Sequence, residues 1–324
     1  MNDIGPEHFS LMTDYFQKYY TSAGVRRASY NSHYIQLPHR HDFPQLWYCH
    51  KGSYVHNVGG HNYECSAGTF IIAPPGVMHG FELDGGEEVI LTCIDTTYYF
   101  FGNKPGKRYT NILTHLFLPE FDSELGFEIP KIYAVEDGEL TIAEEIFEKL
   151  NSTNYSVPFN TDNFKSLLCA LFDLSPFKLD NSQRVKATMY LDKKFNGVME
   201  AIRYINFNYS QKLLCSDILK VACVCRTDFF QMNKKATGFT FSIYAQTVRI
   251  VRIRGLLALT DLSFQYLADT CGFPNVPYLS RVYKNRYGMS LSDARSHYPK
   301  NRVLYPKLLL SRDWLEDYRA FSCR

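Results

Sequence analysis

Hydrophobic positions along the chain follow two periods, and the change between them divides the sequence. From Tyr34 to about Ile94, short runs of β-branched and aromatic residues recur, among them QLWYCH, TFIIAP and VILTCI. KGS, VGG, SAG, PPG and DGG punctuate these runs. That gives a turn signal every 8–12 residues or so, as an all-β sandwich or barrel requires. After about Val135 the period becomes helical. GELTIAEEIFEKL places Leu140, Ile142, Ile146, Phe147 and Leu150 on one face, and TDNFKSLLCALFDL repeats the arrangement with Phe164, Leu167, Leu168, Leu171 and Phe172. The two stripes predict a helical pair beside the sheet, serving the core or a dimer contact. NSQRVKATMYLDKKFNG is polar and weakly periodic, so a linker is expected over residues 181–197.

From Val198 to about His297 the pattern is helical throughout and repeats with a period of about 50 residues. KKATGFTFS (234–242) lines up with KNRYGMSLS (284–292), and DILKVACV (217–224) lines up with YLADTCGF (266–273) at a shift of 49. In the second copy, Leu262, Phe264, Leu267 and Ala268 make one helix, Cys271-Gly272-Phe273 a turn, and Val276 to Arg286 the next. This is a helix-turn-helix layout, in which Gly272 takes the positive φ of the tight turn and the second helix is the one that enters a major groove. Tyr278, Leu279 and Val282 fall on its buried side, which leaves Asn275, Ser280, Arg281 and Lys284 for bases and phosphates. Between the copies, Phe241 to Leu259 reads as one helix of 19 residues, about 28 Å long. Adjacent major-groove turns lie about 34 Å apart, so this helix can hold two reading heads over successive turns. Its Arg249, Arg252 and Arg254 are candidate phosphate contacts, Arg249 alternatively being paired within the domain.

Charge sharpens the division. The chain of 324 residues is 21% charged and 45% hydrophobic with a net charge of +2, long enough for two cores and too apolar to be disordered. Residues 1–180 carry 12 Lys and Arg against 23 Asp and Glu, a net of −11, whereas residues 181–324 carry 23 against 10, a net of +13. One half is built to approach a polyanion and the other to avoid it. No apolar stretch reaches the ~18 residues of a membrane span, and MNDIGPEHFSLMTDYF lacks the features of a signal peptide. A cytoplasmic protein without membrane contact is expected. Nine scattered cysteines suit free thiols. Cys215, Cys223, Cys225 and Cys271 lack the paired spacing of a zinc site.

VRIVRIRGLLALTDLSFQYLADTCGFPNVPYLSRVYKNRYGMSLSDAR resembles the signature of AraC-type transcriptional regulators, which combines a connector, the run S-I-x-x-I-A-x-x-x-G-F and a recognition helix ending F-K-x-x-x-G. The resemblance covers about 100 residues. Ile253, Tyr283, Leu291 and Ala294 depart from it in packing positions. The first copy departs further: Leu219 replaces Ala, Cys223 occupies the turn, Cys225 replaces the capping Ser and Asn233 replaces a core Phe. A lost Ser cap costs about 1 kcal/mol, and a buried Asn costs more unless it is bonded. By position in the family's recognition helices, the resemblance implies DNA contacts by Arg226, Thr227, Phe230 and Gln231, with Lys234 and Lys235 near phosphates, and by Asn275, Val276, Ser280, Arg281 and Lys284.

In the acidic half, His39-x-His41, then Gln45, then Pro74-x-Gly76-x-x-His79 resembles the two cupin motifs. On a strand His39 and His41 project to one face, and His79 would join them from a neighbouring strand. Three imidazoles suit a divalent metal, but enzymatic cupins have Glu where this chain has Gln45. A small-molecule pocket without metal or other cofactor is therefore expected, lined by His39, His41, Gln45 and His79, with Trp47, Tyr63 and Phe81 as walls.

The expected architecture is an all-β cupin-like barrel with flanking helices over residues 1–180, a linker, an all-α double helix-turn-helix domain over 198–298 and an extension over 299–324 with a short helix. What the resemblance implies is a non-enzymatic, effector-controlled regulator that binds double-stranded promoter DNA as a homodimer, with a sugar or related metabolite as effector and RNA polymerase as a further partner. Two alternatives stand beside it: a metal-dependent cupin enzyme with a nucleic-acid-binding tail, and an effector-independent regulator whose cupin only dimerises.

Overall fold

The computed structural model describes residues 9–10, 23–41, 43–96, 98–101, 107–118, 120, 125–153 and 161–296. The extension over 299–324 lies outside them. The chain opens with β1 (Phe9–Ser10), β2 (Ala23–Tyr30), β3 (Tyr34–His41), β4 (Gln45–Lys51), β5 (Ser53–Val58) and β6 (His61–Ser66). β7 (Thr69–Ala73), β8 (His79–Leu83), β9 (Val89–Thr96) and β10 (Ile132–Ala134) follow. They form two five-stranded sheets, ordered β1-β3-β8-β5-β6 and β10-β7-β4-β9-β2. This is the cupin-like architecture expected, with β1, β2 and β10 added to the strands read from the pattern.

The second sheet is covered on both faces, which explains why QLWYC and TFIIA are buried at every position and mostly apolar. Trp47, Cys49, Ile71 and Cys93 join Phe81 and Leu83 of the first sheet in one core. Leu46, Tyr48, Phe70 and Ile72 point the other way, against helices. Those helices are α1 (Thr110–Phe117), α2 (Leu140–Thr153) and α3 (Thr161–Phe172). Phe147 of α2 is fully buried and stacks on Tyr48 at 4.4 Å, a burial of about 1.5–3 kcal/mol. The α3 stripe is buried as expected, except that Leu167 is only partly so. In α2 the expectation fails at Ile142, which is 49% exposed. Ala143, Ile146, Phe147 and Leu150 are the residues that pack, and Ile142 lies about 100° round the helix from Ala143.

The segment expected as a linker is helical instead. α4 (Asn181–Tyr190) runs through a π-helical turn, Leu191–Phe195, into α5 (Asn196–Asn208). Asp180 starts it with a reciprocal capping box to Gln183, and Ala187, Tyr190, Leu191 and Phe195 are buried. Phe195 meets Tyr98 of the β-sheet half at 5.6 Å, and the Tyr98 hydroxyl bonds the Asn196 side chain. The remainder is α6 (Cys215–Ala222), α7 (Arg226–Thr237), α8 (Phe241–Leu259), α9 (Phe264–Thr270), α10 (Val276–Tyr287) and α11 (Leu291–Ser296). No helix among the described residues is long and apolar enough to cross a membrane.

Candidate effector site and DNA-reading surface

Antiparallel pairing of β3 with β8 sets His39 opposite His79, and a register shift between Gln36 and His39 lets the strand carry His41 to the same cluster. The His39 and His79 rings lie 4.4 Å apart, and those of His41 and His79 4.8 Å apart. One ring nitrogen of each histidine lies within 4.8 Å of the other two, the group among the described residues able to hold a metal ion. Cys215, Cys223, Cys225 and Cys271 form no such group. The eight described cysteines are free thiols.

Gln45 is buried and central. Its Nε2 donates to Asp95 Oδ1 at 2.8 Å, and its Oε1 accepts from Trp47 Nε1 at 3.2 Å while lying 3.0 Å from His79 Nε2. Asp95 is bridged in turn by Arg26 at 2.9 Å. The expected walls Trp47 and Phe81 are 5% and 3% exposed and meet edge to face at 5.2 Å, so they pack on each other. Tyr63 is half-buried and faces His56 across the β5–β6 pair. His56 and Asp95 are the site residues that motif reading missed. Alternation along SYVHNV from Tyr54 was the available signal for His56; nothing local marks Asp95, 50 residues from its partner. Burial, reinforced by neighbouring imidazoles, holds His41 and His56 well below the usual range and His79 down to about 3. All three rings are therefore uncharged at neutral pH.

The helical half contains both expected reading units. In the second, Leu267, Ala268, Leu279 and Tyr283 form the buried seam, with Tyr278 and Val282 only partly covered. Gly272 takes φ +73°, and Asn275 caps α10 by accepting the Tyr278 N–H at 2.8 Å. Asn275, Arg281 and Lys284 are exposed, and Val276 and Ser280 half-buried. In the first unit Arg226, Thr227, Gln231, Lys234 and Lys235 are exposed on α7, and Arg226 lies over the half-buried Phe230 ring. Of the connector arginines, Arg249 is held inside, donating to the carbonyls of Tyr209 and Gln211 at 2.7 and 2.9 Å. Arg252 lies over the Tyr209 ring at 5.7 Å and Arg254 over the Tyr287 ring at 5.3 Å.

The odd residues of the first unit are each accommodated. Cys225 Sγ accepts the Asp228 N–H at 3.4 Å, a weak cap in place of a hydroxyl. Asn233 is fully buried; its Nδ2 donates to the Phe239 carbonyl at 2.9 Å, while Oδ1 has no partner. Cys223, at the position matching Gly272, has φ 52°, a left-handed backbone that costs an L-residue about 1–2 kcal/mol. Cys223→Gly is therefore expected to stabilise this unit by about 1 kcal/mol, less the larger unfolded-state entropy of glycine. A higher urea midpoint at unchanged slope would show it. A lower midpoint would mean that the Cys223 thiol's contact with the Lys220 carbonyl at 3.2 Å outweighs the strain.

Residues 23–95 match the AraC-like ligand binding domain, and residues 218–297 match a helix-turn-helix domain. The HTH-type transcriptional activator RhaS of Escherichia fergusonii is 21% identical over 79% of this chain and 86% of its own length. The lactose operon transcription activator of Staphylococcus xylosus is 20% identical over 63% of this chain and 69% of its own. Among solved structures, ToxT from Vibrio cholerae superposes with a TM-score of 0.46 at 13% identity, over 86% of this chain and 99% of ToxT.

Proposed function

The chain belongs to the AraC-type transcriptional regulators, and on that ground we propose that it binds double-stranded promoter DNA sequence-specifically under control of an effector held in its β-sheet half. The supporting observation is a pair of reading units joined by one rigid helix. α7 and α10 each present exposed cationic side chains, and α8 between them has 19 residues, or about 28 Å, close to the groove repeat. A homodimer that meets RNA polymerase belongs to the same reading. The enzymatic alternative is disfavoured by the neutral Gln45 at the carboxylate position and by the lack of an acid/base pair beside the histidines among the described residues.

The test is fluorescence anisotropy of the full chain on duplex from upstream of its own coding sequence and on random duplex, across a salt titration. Arg281→Ala is expected to cost about 1–3 kcal/mol on the specific duplex and to relax specificity there, whereas Lys284→Ala should weaken both duplexes alike and reduce the salt slope by about 1. Equal affinity for both duplexes at every salt concentration would sink the reading.

A further inference from the structure

We propose that Cys223 and Cys225 form a redox-active dithiol, which small disulfides oxidise to an intrachain disulfide that uncaps the recognition helix of the first reading head and weakens its hold on DNA. The inference rests on the regulator reading above and adds a thiol-modification site to its DNA-binding half.

The two reading units fill the same two positions with different residues. In the second, Gly272 takes the left-handed turn at φ +73°, and Asn275 caps α10 through its side-chain oxygen. In the first, Cys223 takes the turn at φ 52°, and Cys225 caps α7 through sulfur. Cys223 is the one non-glycine residue with positive φ among the described residues, and sulfur is a weak acceptor. Each cysteine is ill suited to its position, and neither gains packing in exchange, because both side chains are exposed. Of the eight described cysteines, four are buried, two half-buried and these two exposed. What the two positions share is thiol chemistry.

Access and reach both suit a disulfide. Val224, between the two, is half-buried and packs against the core, while the thiols on either side face solvent. Two residues span at most about 7 Å between Cα atoms, and a disulfide closes over about 4.4–6.8 Å. The bend of the chain at Val224 keeps the segment short of full extension.

The contacts that hold the reduced thiols apart are the ones that the disulfide destroys. Cys223 Sγ donates back to the Lys220 carbonyl of α6 at 3.2 Å, whereas Cys225 Sγ accepts the Asp228 N–H of α7 at 3.4 Å. One sulfur leans on each helix. A bond between them withdraws both, so the cap on α7 and the disulfide exclude one another. The first turn of α7 carries Arg226 and Thr227, both exposed. These residues, expected at DNA, lose their placement when the start of the helix frays.

The chemistry is thiol–disulfide exchange. The Cys225 thiolate attacks one sulfur of R–S–S–R, which forms Cys225–S–S–R and releases RS⁻. The Cys223 thiolate then attacks the Cys225 sulfur, closing the intrachain bond and releasing the second RS⁻. The two protons lost by the chain end on two RSH; the dithiol gives up two electrons and the small disulfide takes them. Arg226, exposed beside Cys225, favours an oxidant that carries carboxylates. Cytosolic disulfides are characteristically transient and regulatory, and an exposed one is readily reduced again.

The experiment equilibrates the full chain in glutathione buffers of graded oxidised-to-reduced ratio, traps free thiols by alkylation before tryptic digestion, and measures anisotropy on the upstream duplex in parallel. Lys220 and Arg226 bracket both cysteines. One tryptic peptide, 221–226, therefore reports the dithiol as two alkylations and the disulfide as the loss of two hydrogens. The oxidised wild type should bind the upstream duplex more weakly by about fivefold or more, the worth of a lost cap in an equilibrium, and should recover with a dithiol reductant. Cys225→Ser, with a better cap, should bind at least as tightly as the reduced wild type and ignore the buffer. An intact dithiol across the whole range, in a chain that still prefers its upstream duplex, overturns this inference and leaves the regulator reading standing. A glutathione adduct without the intrachain bond overturns it as well, as does a disulfide that leaves DNA affinity unchanged. An equal loss of affinity in Cys225→Ser has the same force, because another thiol then carries the effect. A reduced chain with no preference for its upstream duplex fails as a regulator, and the switch falls with it.

Discussion

Gly272→Val is expected to disrupt the second reading head and to weaken specific DNA binding by about a hundredfold or more. Gly272 has φ +73°, and a Cβ there would sit 2.6 Å from the Ser210 carbonyl oxygen and 2.9 Å from its carbon. Both are backbone atoms, so no rotamer change relieves the contact. The left-handed conformation alone costs about 1–2 kcal/mol, and a β-branched side chain and a backbone clash add to it. A total near 3 kcal/mol corresponds to about a hundredfold in an equilibrium. Gly288 is the control: it has a similar φ of +70° with nothing within 4 Å of its Cβ position, so Gly288→Ala should cost only about 1 kcal/mol. Urea unfolding and duplex anisotropy on both variants decide it. Equal effects would mean that strain and not the Ser210 contact governs the turn.

Lys131 predicts an equally large effect that depends on pH. It is 3% exposed, and its Nζ donates to the carbonyls of His115 and Leu118 at 3.2 and 2.9 Å. Burial pushes its pKa down to about 7, against a small opposing pull from Glu120. Above pH 10.5 neither folded nor unfolded chain protonates this lysine. As pH falls from there toward 7, the unfolded chain takes up a proton that the folded chain refuses, so stability is lost across that window and is constant below it. The slope is about 1.4 kcal/mol per pH unit. His115 beside it is held down to about 3, chiefly by burial and then by Lys131, and stays neutral throughout. Lys131→Met should therefore gain most over the wild type at pH 7, with the advantage shrinking by about 1.4 kcal/mol per unit up to pH 9. Urea unfolding of both chains at pH 7, 8 and 9 measures it, and a pH-independent difference would refute the buried-lysine account.

The features legible in the sequence were those with short-range signatures. Turn glycines spaced through 52–85 marked the strands, and the fifty-residue repeat marked both reading units. His39-x-His41 and His79 needed only strand alternation and one neighbour, and the structure gathers them. Asp95 was hidden because its role depends on the β4–β9 register that pairs it with Gln45. The helical 181–195 segment was hidden for another reason. Its exposed side is polar enough to resemble a linker, and the π-helical turn at Leu191–Phe195 shifts the phase of its buried positions, so a 3.6-residue period fits poorly. The Asp180–Gln183 capping box was the overlooked sign. Ile142 misled because an apolar residue beside a stripe is counted with it, although apolar residues on a surface are ordinary.

The helical join between the halves makes their stabilities a shared quantity. Tyr190, Leu191 and Phe195 belong to the same core as Tyr98 and Phe117 of one half and Met232 and Tyr244 of the other, so melting either half uncovers apolar surface of its neighbour. An effector in the β-sheet half or DNA on the reading helices would then stabilise the folded chain by an amount that grows with the logarithm of its free concentration above its Kd. That gain extends to the half the ligand does not touch.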